Sequence, residues 1–140
     1  MAEPRAVMER QARLFATLGA VNAGLAVLLG AFGAHALRDT LSADHLATFG
    51  TAVDYHLVHA LGLFAVAFVG AQLPGSTLLR WSGRLMSAGI VLFCGSLYAL
   101  ALTGLSRLGA ITPLGGVCFT TAWILLALAL IRDWRPAGAD

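Results

Sequence analysis

Leu14–Leu37 reads LFATLGAVNAGLAVLLGAFGAHAL, an apolar run with no formally charged residue. About 20 apolar residues carry a helix across the hydrocarbon core of a bilayer, so this run is long enough to span with some tilt. The Ala34-His35-Ala36 triplet near its end mimics a signal-cleavage site. A signal h-region is only about 7–15 residues, however, and the run is read as an uncleaved first helix.

The rest of the chain has the same character. Of its 140 residues 59% are hydrophobic and 11% charged, with a mean hydropathy of +0.82. Soluble domains carry about 25% charged residues. In water so apolar a chain would expose large contiguous patches, whereas a bilayer covers them. The formal charge of +2 comes from nine arginines, no lysine and seven acidic residues. The arginines stand singly or in pairs at the ends of apolar segments. They form no basic stripe with interleaved aromatics, so nucleic acid is not an expected partner. The two cysteines, Cys94 and Cys118, lie inside apolar runs. They read as small buried hydrophobes, not as a disulfide framework.

Three further spans follow the first. Arg38–Thr51 is a connection in which Ser42 suits an N-cap, and Leu46, Phe49 and Val53 recur at helical spacing. It is expected to lie on the membrane surface, turning in at Gly50 or running on unbroken. The second span is Ala52–Leu73, ended by Pro74-Gly75. A polar connection with Arg80, interfacial Trp81 and Arg84 leads to the third span, Leu85–Leu105. After a brief turn, Pro113 suits the start of a helix. The fourth span ends near Ile131, with Arg132-Asp133-Trp134-Arg135 at the interface. The spans are therefore 14–37, 52–73, 85–105 and 113–131 of a single membrane domain.

Seven arginines fall at the N-terminus, the second connection and the C-terminus, against Arg38 and Arg107 in the other two connections. By the positive-inside rule both termini are expected to be cytoplasmic. Short connections then predict an all-α fold, a four-helix transmembrane bundle running up-down-up-down. Continuous apolar runs argue against a barrel of alternating strands. Small residues let helices approach closely in lipid. Ala20 and Gly24, then Ala26, Gly30 and Ala34, recur at four-residue spacing, joined by Gly33, Gly89, Gly95, Gly115 and Gly116. Asn22, in mid-span, is expected to face inward and bond a neighbouring helix.

Candidate residues for chemistry gather where the first span ends and the second begins, with the third and fourth meeting there. His35, Tyr55, His56, His59 and Tyr98 all fall in that half of the membrane. Tyr55 and His59, four apart, share a helix face, and His56 nearly shares it. With His35 from another helix, three ring nitrogens can hold a metal. A haem axial pair or a proton relay is also compatible, as is simple hydrogen bonding that glues helices together. Asp54 lies about 100° round the helix from Tyr55, off the face of His59. Ser96 has no base at motif spacing, and no nucleophile elbow or phosphate-cradling loop occurs.

Gly30-Ala31-Phe32-Gly33-Ala34-His35-Ala36-Leu37 resembles the signature of the YgdD-like membrane proteins, domain-of-unknown-function family 423, to which the mitochondrial transmembrane protein 256 is related. The likeness continues through Phe49, Tyr55, His59-Ala60-Leu61, Phe93, Gly95-Ser96-Leu97-Tyr98, Leu102-Thr103-Gly104, Ile111-Thr112-Pro113-Leu114-Gly115-Gly116 and Trp123. It covers residues 14–130. The family often has Gly before the last-helix Trp, where this chain has Ala122. The resemblance implies a four-span protein of the bacterial inner membrane and no mechanism.

The expected function is that of a non-enzymatic accessory, assembly or membrane-organising protein, with the bilayer and a membrane-protein partner or second copy as its company. The alternatives are a metal-, haem- or quinone-binding protein built on the His/Tyr cluster, and an oligomeric transporter subunit for ions or small solutes. No cofactor is required by the sequence.

Overall fold

In the computed structural model the backbone of residues 2–133 and the side chains of residues 9–133 are described. Five α-helices form the chain: α1 (Ala2–His35), α2 (Ala43–Gln72), α3 (Thr77–Gly89), α4 (Gly95–Thr103) and α5 (Thr112–Arg132). Between α3 and α4, Ile90–Cys94 forms a π turn without breaking the rod, so one continuous third span runs from Thr77 to Thr103. A 3-10 turn, Ser106–Ala110, leads into α5. Four stretches are long and apolar enough to cross a membrane: Glu9–His35, Ala43–Gln72, Thr77–Thr103 and Ser106–Arg132. No strand occurs among the described residues.

Local signals account for most of the boundaries. Ser42 caps α2, its hydroxyl accepting from the His45 N–H at 3.3 Å. The helix continues unbroken through Gly50, so the segment expected at the surface and the second span belong to one helix. At its other end the Leu73 N–H closes on the Val69 carbonyl, and Gly75 at φ 90° supplies a left-handed backbone that a side chain would strain. Gly104 at φ 71° ends α4 in the same way. The helix that carries the third span starts at Thr77, ahead of the expected span itself, because Ser76 caps it by accepting from the Leu79 N–H. Arg80, Trp81 and Arg84 then stand on its exposed side, where long side chains reach the interface from within a helix. The expected interfacial Trp134 and Arg135 lie outside the described residues.

Consecutive spans run antiparallel. A Cβ on Gly19 would lie 3.0 Å from the Ala60 carbonyl, and one on Gly33 would lie 2.9 Å from the Phe49 ring, so α1 climbs α2 in reverse. Gly62 receives the Met86 thioether, and the Ser82 hydroxyl donates to the Ala122 carbonyl at 2.8 Å. The packing is unequal: α1 leans almost wholly on α2, and α5 leans on the third span. The molecule is thus two antiparallel hairpins joined along the seam between α2 and the third span. In the most apolar stretch of α2, 44% of the residues are buried, against 17% in that of α1. So α2 is the central helix and α1 the peripheral one. The core sits between α2, the third span and α5, around Leu63, Val66, Met86, Cys94 and Phe119, with Phe15 reaching in from α1.

The stripe of close approach on α1 is Gly19, Ala26, Gly30 and Gly33. Ala26 is fully buried, and a Cβ on Gly30 would touch Val53 at 3.3 Å. Gly24 faces open space and Ala34 is exposed, as are Ala20 and Gly95. This corrects the expected stripe on α1, which has one principal neighbour, so only one line of its surface is covered; Gly95, on α4, likewise faces no neighbour.

Candidate functional site

The two buried histidines of α2 sit in two separate contacts. The first joins three spans. Asn22 of α1 donates its amide N–H to the Leu18 carbonyl at 2.8 Å, which turns Oδ1 toward α2. There it accepts from the Nε2–H of His56 at 3.0 Å. With Nε2 carrying the proton, the His56 Nδ1 is the bare nitrogen and accepts from the Tyr98 hydroxyl at 3.2 Å. The Tyr98 ring is braced by Phe49, with centroids 4.9 Å apart. Both ring nitrogens of His56 are therefore engaged by side chains from other spans. Sequence reasoning turned Asn22 inward but did not find His56 as its partner.

The second contact faces α5. The His59 Nδ1–H donates to the Tyr55 carbonyl one turn earlier, at 2.7 Å, which leaves Nε2 as a bare acceptor. Its ring stacks on Phe119 with centroids 3.4 Å apart and planes 13° apart. Tyr55 stacks on Phe93 at 4.5 Å. Phe119 was absent from the sequence reading. It fits because Gly89 leaves its ring a place against the third span, where any Cβ would collide with it.

His35 belongs to neither contact; it is exposed at the end of α1. The register explains this correction to the expected five-residue cluster. Gly30 lies beside Val53 and Gly33 beside Phe49, so His35 is level with the first turns of α2. That is roughly 12 Å along the axis from His56 at 1.5 Å per residue. Among the described residues no three His, Cys, Asp or Glu side chains stand close enough to hold a metal ion. The three-nitrogen arrangement of His35, His56 and His59, one of the alternatives, is thus not assembled among the described residues.

The π turn builds a third local arrangement. A π turn leaves carbonyls outside the ordinary i to i−4 ladder, and the Ser96 hydroxyl donates to the Phe93 carbonyl at 3.0 Å. Ser96 is also 2.8 Å from the Thr112 hydroxyl at the start of α5. The turn presses the Phe93 backbone onto Gly115, where a Cβ would lie 2.7 Å from its Cα, while Gly116 meets only the Phe93 ring at 3.9 Å. Ser96 thus works as a clasp between spans. Cys94 is buried in the core and Cys118 is half-buried. Ala122, fully buried, keeps its helix close to the third span through the bond from Ser82.

Four apolar spans with their few polar side chains turned onto one another define a multi-pass membrane protein. Residues 29–116 match the family described as Protein of unknown function (DUF423). Over 120 residues the chain is 52% identical to the UPF0382 membrane protein YwdK of Bacillus subtilis, which covers 86% of this chain and 98% of that one. It is 44% identical over 120 residues to the UPF0382 membrane protein SSP2132 of Staphylococcus saprophyticus, at 86% and 98% coverage. A UPF0382 membrane protein of Staphylococcus epidermidis is likewise 44% identical, at 86% and 97% coverage. The chain belongs to the DUF423 family and is a multi-pass protein of the cell membrane. No solved structure matches it.

Proposed function

We propose that this protein works without catalysis, as an accessory, assembly or membrane-organising component with both termini on the cytoplasmic side. The observation that carries the reading is the position of α1. It is a full membrane span with one principal helix neighbour, and it turns Val21, Val27, Leu28 and Phe32 outward. A broad apolar face on a peripheral span suits contact with another membrane protein or a second copy. The interior supports the same reading, since His56, Asn22, Tyr98, Ser82 and Ser96 bond one another or the backbone. The arginine distribution supports the orientation. The test is a photo-crosslinking amino acid placed in native membranes at Leu28 of α1 or at Val117 of α5, both strongly exposed. A discrete protein adduct at position 28 and none at position 117 is expected. Lipid adducts alone at both positions would sink the proposal.

A second reading, a bound metal, haem or quinone, is favoured by the His59 Nε2, which has no hydrogen-bond partner among the described residues. One bare nitrogen suits a quinol hydroxyl or a single axial bond. Metal, haem and quinone content of protein purified in mild detergent, beside His59→Ala, tests it. Cofactor levels equal in parent and variant would exclude a His59 site.

A further inference from the structure

Arg80 and Arg84 stand four residues apart on the exposed side of α3, with Trp81 beside them. Their depth follows from the register of the spans. Gly62 meets Met86 and Tyr55 stacks on Phe93, so Phe68 of α2 is level with Arg80. The Ser82 bond to Ala122 puts Ile124 of α5 at that same level. Ile131 then lies roughly 10 Å further, at 1.5 Å per residue, toward the end of the bundle where α1 starts and α5 stops. Phe68, Ile124 and Ile131 are 70%, 53% and 76% exposed. The apolar surface of the two neighbouring spans therefore reaches the level of Arg80 and, on α5, continues past it. Arg84 starts roughly 6 Å deeper than Arg80.

The two side chains answer this placement in the same way. An ionised group set among lipid-facing residues is costly unless it reaches the interface or meets a counter-charge. Arg80 Nη2 donates to the Thr77 hydroxyl at 2.9 Å, and the Arg84 guanidinium lies 5.4 Å over the Trp81 ring. Thr77 and Trp81 each stand three residues earlier, so both heads turn back toward the same end of the bundle. Among the described residues neither head meets a carboxylate; Asp133, at the foot of α3, accepts from the Ser76 hydroxyl. Two positive charges thus stand one turn apart beside an apolar belt that extends beyond them.

We infer that Arg80 and Arg84, flanking Trp81, bind the phosphate of an anionic phospholipid in the leaflet at that end, drawing it inward against the third span. A guanidinium fits a phosphate through paired N–H donors. Cβ atoms four residues apart on a helix are only about 5–6 Å from each other, close enough for the two heads to share one phosphate. The acyl chains then run toward mid-membrane past Val91, exposed and two turns beyond Arg84 on the same face. A zwitterionic headgroup brings an ammonium that would sit against the two guanidinium groups. A carboxylate on a partner span would itself have to be carried inside the belt, whereas lipid phosphates already lie along its edge. The inference deepens the membrane-organising part of the proposed function and rests on it.

The experiment is native mass spectrometry of the full chain released from detergent. Phosphatidylglycerol, phosphatidylethanolamine and phosphatidylcholine with identical acyl chains are compared, with thermal unfolding in lipid-free micelles measured in parallel. Phosphatidylglycerol is expected to be retained roughly thirtyfold better than either zwitterionic lipid, about fivefold for each arginine. Arg80→Gln with Arg84→Gln should abolish that preference and leave lipid-free unfolding unchanged, since both side chains are exposed. Arg10→Gln with Arg13→Gln removes the same charge from α1. Phe15 over Gly83 sets Arg13 level with Trp81, but both α1 arginines are exposed on faces turned away from Phe15, so this pair should keep the preference. Equal retention of the three lipids would overturn the inference, as would a preference that survives the α3 variant or falls as far in the α1 variant. Glycerol 3-phosphate that competes as well as the lipid would overturn the lipid and assign the pair to a soluble phosphate. Such failures leave the accessory reading to its own test, the adduct at position 28.

Discussion

Replacing Gly115 with Ala should destabilise the protein, while the same change one residue later should not. At Gly115 the new methyl group would fall 2.6 Å from the Phe93 Cβ and 2.7 Å from its Cα, so the obstacle is backbone and the root of a side chain, which no rotamer change can move. At Gly116 the nearest atoms are on the Phe93 ring at 3.9 Å, ordinary contact distance. Both positions lie in the first turns of α5, so the gain from Ala over Gly, up to about 1 kcal/mol, enters both variants and cancels between them. What remains is the overpacking cost, about 1–3 kcal/mol. Gly115→Ala should therefore be less stable than Gly116→Ala by about 1–3 kcal/mol, with Gly116→Ala at or slightly above the parent. Reversible unfolding in mixed micelles, titrated with a denaturing detergent, measures the difference. Gly24→Ala, in open space, is the control for a methyl added without a neighbour. Two variants of equal stability would refute the close seat of α5 on the π turn.

Asn22→Leu leaves the His56 Nε2–H without its acceptor and should cost about 1 kcal/mol, within the range of interhelical bonds in membranes. A double-mutant cycle with His56→Phe should then show a coupling of similar size; zero coupling would mean that the 3.0 Å contact contributes nothing. Ser82→Ala removes the donor to the Ala122 carbonyl and should lower stability by about 1 kcal/mol, read in the same titration. N-ethylmaleimide should modify only Cys118 in the folded protein, with Cys94 reacting after denaturation, and a first adduct at Cys94 would contradict its burial. In intact cells an impermeant thiol reagent should label Ser106→Cys and spare Thr77→Cys; the reverse pattern would invert the proposed orientation.

The spans were legible because hydrocarbon imposes a length, and length can be read directly from an apolar run. Turn chemistry was legible for the same kind of local reason at Ser42, Pro74-Gly75 and Pro113, whereas Gly104 ends α4 inside a stretch that reads as running on to Leu105. Asn22 could be turned inward by the cost of an amide in lipid, but its partner could not be named. That depends on the register of α1 against α2, which Gly19 and Gly33 set by contacts distant in sequence. The same register carried His35 away from His56 and His59. The π turn left no sign in the apolar pattern, since one extra residue in a uniformly apolar span changes no periodicity. Gly24 and Gly33 are the same residue type, and only the neighbour each one faces separates them.

The division into two hairpins also bears on biosynthesis. A chain emerging N-terminus first inserts α1 before any partner exists, and this helix must wait in the bilayer as a lone span until α2 arrives. The third span emerges beside α2 and meets its larger partner only when α5 follows. Each half of the chain thus completes its own main contact only with its second helix, and the tight joint at Pro74-Gly75 separates the two.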